Sequence, residues 1–265
     1  MAAVTLTSHD MNVLEKIKDP DFNPAAGVLI DETLPRDPNI VDTSVYDRVV
    51  AQERRIIQNI QRLEIELSQS MAENSSDTAI AQYQQCASDF DALVAEYPDY
   101  ASARNNRAQI ARRLYGDAML MSQIQGMPMP LVENPNQGEK RLAAKAALQD
   151  LDTSIRLLSP ASVSAPMSSQ ASRTLSMAHT QRAAIYLKTA KLLPYRDLDM
   201  DGSRHEASWD KLRFEEAASR DLALGGRYGN PIAKGLAVST NPTAKLCGQI
   251  VREAMKKEYG PSFGE

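Results

Sequence analysis

The chain has 265 residues, of which 43% are hydrophobic, 24% charged and only 5% aromatic, and its formal net charge is −4. That mixture is ordinary for a soluble globular protein, and the slight negative charge leaves no bulk field to attract nucleic acid. No apolar run approaches the roughly 20 residues needed to span a bilayer, so no membrane partner is expected.

Ala, Leu, Gln and Arg are plentiful and favour helix, while alternating β-branched runs are hard to find. Residues 1–10 lack the basic-then-apolar order of an export signal. Residues 8–18 form a short amphipathic segment, with Ser8 as cap and Met11, Leu14 and Ile17 on one face. Asp19-Pro20 ends it. Residues 19–43, with Pro20, Pro24, Pro35 and Pro38, read as an extended arm lying over the body.

A strong helix is expected from Thr43 to about Ser70, capped by Thr43 or Ser44, with Val49, Ile56, Ile60, Leu63 and Leu67 in phase. After a break at 74–77, with Asp77 as cap, a second helix carries Ile80, Tyr83, Cys86, Phe90, Leu93 and Val94 to Pro98. A third is expected over 100–123. Gly126, Pro128, Pro130, Pro135 and Gly138 then mark a loop whose apolar middle should lie against the body. Its partner helix covers 139–158, with Leu142, Leu148, Leu151, Ile155 and Leu158 on one face. A Ser/Ala/Pro-rich stretch at 159–172 reads as a flexible loop. A third hairpin follows, with helices over 173–192 and 208–224 around an insertion at 194–207. The last helices cover 230–238 and 242–258, the final one starting with Pro242 in its first turn.

The joint at Pro98 carries the most information. One helix stops there and another begins within three residues, bearing small side chains where a neighbour must come close. A tetratricopeptide unit has about 34 residues, with small side chains where its two helices cross. In that register Cys86, Ala108, Ala147, Ser154, Ala183 and Ala217 take small positions. Phe90, Leu151, Tyr186 and Phe214 take large ones. Bulkier groups at the small positions would overpack the crossing.

Six segments carry a resemblance beyond this register. The run from Ala101 to Gln109 (ASARNNRAQ) resembles the hallmark of the tetratricopeptide repeat protein 36 family. Similar matches are Leu148 to Ile155 (LQDLDTSI), Gln181-Arg182 with Tyr186, Phe214 to Ala218 (FEEAA), Asn241 to Cys247 (NPTAKLC) and Asn12 to Pro20 (NVLEKIKDP). The insertions near 119–138, 159–174 and 194–208, and the long helix at 45–70, depart from that family's compact pattern. The resemblance implies a three-repeat, non-enzymatic protein that binds Hsp70-type chaperones and client proteins.

On the second unit, Asn105, Asn106, Gln109, Arg112 and Arg113 lie on or near one surface at helical spacing, with Ser102 beside them. Amides there can hydrogen-bond a peptide, and Arg can fork a carboxylate. With Gln181 of the next unit they are the candidate partner-binding residues. The alternative is that Asn106 and Arg107 tie helices together while Arg112 and Arg113 stay solvated. Asn106 fits one position of a clamp for acidic C-termini, but the places where that clamp needs cations hold Met177 and Gln181.

Asp197, Asp199, Asp201 and Gly202 resemble the start of a calcium loop, yet Ser208 stands where a bidentate Glu belongs. A solvated acidic loop is the better reading. His9, His179 and His205 are scattered, and no nucleophile, phosphate-loop or zinc motif is present. His179 reads as a packed interior residue and Trp209 as a core anchor. Cys86 and Cys247 read as reduced thiols in a cytoplasmic protein, with the nucleus as a second compartment.

The expectation is therefore an all-α solenoid of about three tetratricopeptide-like hairpins over residues 44–258, with a capping C-terminal helix, an arm at 1–43 and a tail at 259–265. Its expected role is a non-catalytic adaptor, co-chaperone-like, without cofactor or metal. A calcium-responsive regulator using residues 197–208 is the alternative.

Overall fold

The computed structural model describes residues 28–69, 75–122, 130–162 and 165–259. The amphipathic segment at 8–18 and the tail at 260–265 lie outside them. Among the described residues there are eight α-helices and no strand longer than an isolated bridge. They are α1 (Thr43–Gln69), α2 (Ser75–Glu96), α3 (Ala101–Tyr115), α4 (Gln137–Leu158), α5 (Ser169–Leu192), α6 (Lys211–Arg227), α7 (Pro231–Thr240) and α8 (Pro242–Tyr259). A short 3₁₀ turn, His205–Ser208, precedes α6. None of the helices is long and apolar enough to cross a membrane.

Each helix packs mainly on its neighbours in sequence. In α3 and α4 the pairing is antiparallel: Ser154 Oγ donates to the Ala101 carbonyl at 3.1 Å, and Arg107 Nε reaches Asp150 at 2.6 Å. In α5 and α6 the same holds, with Ser172 Oγ on the Tyr228 carbonyl and Ser176 Oγ on the Gly225 carbonyl. By contrast α1 and α3 run parallel, since Asn106 meets Glu53 and Arg113 meets Glu64. Helices α1 and α3, with α5 joined to α3 through Gln181 and Asn105, therefore line up along one side.

The small positions of the register are interior. Cys86, Ala108, Ala147, Ser154 and Ala183 are all buried, with Phe90, Leu151, Tyr186 and Phe214 packed among them; Ala217 is only half-buried. Small groups at crossings let the backbones approach closely enough for the larger side chains to fill the space between. Burying each of those larger side chains contributes about 1.5–3 kcal/mol.

Several local details differ from the sequence reading. Asp42, not Thr43 or Ser44, caps α1: its carboxylate accepts from the Ser44 and Val45 backbone N–H groups at 2.8 and 3.2 Å. Asp77 sits inside the first turn of α2 rather than capping it. Helix α3 stops at Tyr115, well short of 123, because Gly116 turns the chain at φ 74° and its N–H closes onto the Arg112 carbonyl. Met119, Leu120 and Met121 then bury themselves as a tight turn. Leu142 is 70% exposed and does not share the face of Leu148 and Leu151. Helix α6 begins at Lys211, capped by Asp210, so Trp209 precedes it and packs on Tyr186 and Phe214.

The enlarged connections hold one another. Residues 118–122 pair with the 194–207 insertion: Ser122 N–H donates to the Asp197 carbonyl at 2.9 Å and Asp199 N–H to the Leu120 carbonyl at 2.7 Å. The segment expected to be a flexible loop ends in Met167 and Ser168, which grip the arm. Met167 exchanges backbone hydrogen bonds with Leu29 and Asp31 at 2.9 Å each, and Ser168 Oγ donates to the Arg36 carbonyl. In the later part of the 126–138 loop, the Leu131 and Val132 N–H groups donate to the Arg113 and Leu114 carbonyls at the end of α3. These pairings satisfy backbone groups that a free loop would leave to water.

At the C-terminal end, α7 lies close against α6 where Gly225 and Gly226 leave room. Helix α8 leaves Leu246, Ile250 and Val251 more than half exposed.

Candidate functional site

A groove of about 840 Å³ opens on the side where α1, α3 and α5 align. Ile57, Ile60 and Ile65 of α1, Ile110 of α3 and Met177 of α5 give it an aliphatic lining, with Tyr83 from α2. Gly116 and Pro130 line it too. Gln61, Glu64, Asn106, Gln109, Arg112, Arg113 and Asp117 supply polar atoms.

The charges in the groove are already matched within the chain. Arg113 forks Glu64, with Nε and Nη2 at 2.7 and 3.2 Å from the two carboxylate oxygens, and the Tyr83 hydroxyl donates to the same carboxylate. The hydrogen bond from Arg113 holds Glu64 below the usual carboxylate range and outweighs its partial burial. Arg112 Nε donates to Asp117 at 2.6 Å, and its Nη1 donates to Gln181 at 3.1 Å.

Of the six residues expected to bind a partner, Asn106, Gln109, Arg112 and Arg113 line this groove. Asn105 and Gln181 do not. Asn105 is 1% exposed, and Gln181 Nε2 donates to its side chain at 2.8 Å in the joint between α3 and α5. Buried amides need partners, and here Gln181 donates to Asn105 and accepts from Arg112. Asn106 spends its amide on Glu53 at 2.7 Å. The solvated state considered for Arg112 and Arg113 is not what the structure shows, since both are half-buried and paired.

Arg107 and Arg104 fork onto Asp150, which is almost wholly buried, and Arg107 also reaches Asp91. The equivalent joint in the next hairpin is built on Asp221. Burial would raise its pKa, but hydrogen bonds from Arg182 and His179 override that and hold it below the ordinary range. His179 is thus an interior residue, 2.8 Å from Asp221 and stacked on Tyr228.

The acidic insertion is not solvated throughout. Asp199 is buried and pairs with Lys140 and Arg141 at the start of α4, while Asp201 pairs with Lys145 at 2.6 Å. Two of the three carboxylates that prompted the calcium reading are therefore engaged by cations of the same chain. No cluster of three metal-ligating side chains occurs among the described residues.

The aliphatic lining was missed at the sequence level because α1 already shows one apolar stripe. Ile57 and Ile65, eight residues apart and out of phase with Val49, Ile56 and Leu63, form a second stripe on the same helix. Glu53 was missed too, although it is a charge in phase with Val49 and Ile56. It lies buried under the Tyr100 hydroxyl and the Asn106 amide.

Sequentially paired helices enclosing an open groove define an all-helical scaffold suited to holding another protein. Within that class, the chain belongs to the family of the L-tyrosine degradation gene cluster protein hmgX of Aspergillus fumigatus. It is 36% identical to that protein over 262 residues, covering 96% of this chain and 93% of its relative. It is also similar to tetratricopeptide repeat protein 36 of Danio rerio, 26% identical over 260 residues and 98% of each chain. At that distance the likeness supports a shared helical-repeat character, coarser than the family resemblance expected from the sequence. No family model matches the chain, and no solved structure matches it.

Proposed function

We propose that the chain is a non-catalytic adaptor of tetratricopeptide type, whose concave groove docks a partner protein working in L-tyrosine degradation, the process for which its Aspergillus relative is named. The observation that carries this reading is the aliphatic groove formed where α1, α3 and α5 align. Ile65 and Met177 stand 56% and 39% exposed beside it. Large aliphatic groups left open in a concave site favour burial by a partner. In this reading residues 44–258 form the repeat body, and the buried polar joints serve rigidity, not chemistry.

An Hsp70-type chaperone is the partner implied by the resemblance to the tetratricopeptide repeat protein 36 family. Capture by its acidic tail would need unpaired cations. Arg112 and Arg113 are already spent on Asp117 and Glu64, and Met177 and Gln181 bring none. A client protein is therefore the favoured partner. The test is affinity capture of the tagged full chain from its host, comparing wild type with Ile65→Glu and Met177→Glu. An enzyme of tyrosine breakdown should be recovered by wild type and lost from both variants. Equal recovery by folded variants would refute docking in this groove.

A further inference from the structure

Resting on the docking role of the groove, we propose that its occupant is an amphipathic helix of the partner, laid with an aliphatic stripe on Ile57, Ile65, Ile110 and Met177, and carrying no net charge across the contact.

Charge is the first argument. The four ionic side chains lining the groove sum to zero, two Arg against Glu64 and Asp117, and each cation has its carboxylate within 2.7 Å. A charged ligand would have to break a pair and leave an uncompensated group in a partly dry site, which is costly. An uncharged apolar stripe breaks none of them.

Backbone hydrogen bonding is the second argument. An extended peptide presents an N–H and a C=O at every residue and needs matching groups on the wall. On this wall Asn106 gives its amide to Glu53 and Arg112 and Arg113 are paired, which leaves the exposed Gln61 and Gln109, two amides that cannot match an extended backbone residue by residue. No sheet edge exists among the described residues for strand addition. A helix satisfies its own backbone and asks the groove only for apolar contact, read as side chains at i, i+3, i+4 and i+7.

Shape is the third argument. The groove is open and is lined by apolar side chains from three helices, α1, α3 and α5. A helix seated there would press its stripe onto α1, α3 and α5 together, and its polar side would face solvent.

The experiment is a display selection against the immobilised full chain with two libraries. One is a helix-forming library with aliphatic residues held at i, i+3, i+4 and i+7 and the other positions randomised to net zero charge. The second is an unpatterned random library of equal length that includes acidic free C-termini. Selected peptides are synthesised, and their affinities measured for wild type, Ile65→Glu and Met177→Glu. Both substitutions fall on exposed side chains, and circular dichroism verifies that the variants are folded.

The expected result is enrichment from the helical library, with at least tenfold weaker binding to each variant and little dependence on salt. Enrichment of acidic tails whose affinity falls steeply with salt would overturn the inference while leaving the groove a docking site. Selection of extended, unpatterned binders, or of none that the two variants weaken, would overturn it as well. Loss of the captured enzyme in the host experiment is read separately, so the docking role and the helical occupant can fail independently.

Discussion

Gln181 of α5 donates its side-chain amide to Asn105 of α3, at 2.8 Å to the amide oxygen and 3.2 Å to the backbone carbonyl, and accepts from Arg112 at 3.1 Å. This pair joins successive hairpins through residues 76 positions apart. Removing the Gln181 amide leaves the Asn105 side-chain oxygen buried without its donor, which costs about 1–3 kcal/mol, whereas removing the Asn105 side chain leaves Gln181 its bonds to the Asn105 backbone carbonyl and to Arg112. Gln181→Leu should lower the unfolding free energy measured in urea by about that amount, and Asn105→Ala by less. The double variant should lose less than the sum, because the second change removes the orphan left by the first.

Asp150 receives both Arg104 and Arg107 and is almost wholly buried, whereas Asp91 meets Arg107 at an exposed site. Asp150→Ala should destabilise the fold by about 3 kcal/mol, since it removes the buried carboxylate shared by two guanidinium groups and leaves Arg107 the exposed Asp91 and Arg104 the Pro98 carbonyl. Asp91→Ala should cost less than about 1 kcal/mol. Chemical denaturation of the two variants separates the cases; equal losses would mean that burial does not govern these pairs.

Glu53 should make stability fall as pH rises. Burial pushes its carboxyl above the ordinary range, against the hydrogen bonds from Ser102, Tyr100 and Asn106, and nearby Asp37 is raised for the same reason. The folded chain therefore holds this proton more tightly than the unfolded chain. Its contribution is whole below the unfolded value of roughly 4.3 and is lost as pH climbs through the folded pKa. Glu53→Gln keeps an acceptor oxygen without the charge. Its melting temperature relative to wild type should rise between pH 4 and pH 8, and a constant offset would contradict this assignment.

Gly226 sets the approach of α7 to α6. A Cβ there would fall 2.6 Å from Lys234 Cα and 2.8 Å from Lys234 N, both backbone atoms that cannot swing away. Gly226→Ala should cost about 1–3 kcal/mol by forcing the helices apart. Gly235 lies within α7 with nothing inside 4 Å of an added Cβ, so Gly235→Ala should instead stabilise by about 0.5–1 kcal/mol. Thermal melts of the two variants should move in opposite directions.

Much of the architecture was legible without coordinates. The α1 boundaries, the break at Pro98 and the Pro242 start follow from local signals: periodic apolar residues, turn formers, and prolines that forbid continuation. The interior small side chains from Cys86 to Ala183 were legible because helix crossings limit volume wherever they occur. The groove was only half legible. Asn106, Gln109, Arg112 and Arg113 were found by their spacing on one helix, but Ile65 and Met177 belong to helices 112 residues apart, between Ile65 and Met177, that nothing local brings together.

By itself the amino-acid order determined where helices start and stop and which of their faces are buried, since both depend on residues within a turn or two of one another. The tertiary structure alone decided how the polar residues are spent. It turned Asn105 and Gln181 into a joint, drew the acidic insertion onto Lys140, Arg141 and Lys145, and left an aliphatic groove with its charges already matched. A buried polar group takes whatever partner the fold brings within about 3 Å, and that partner can come from anywhere in the chain.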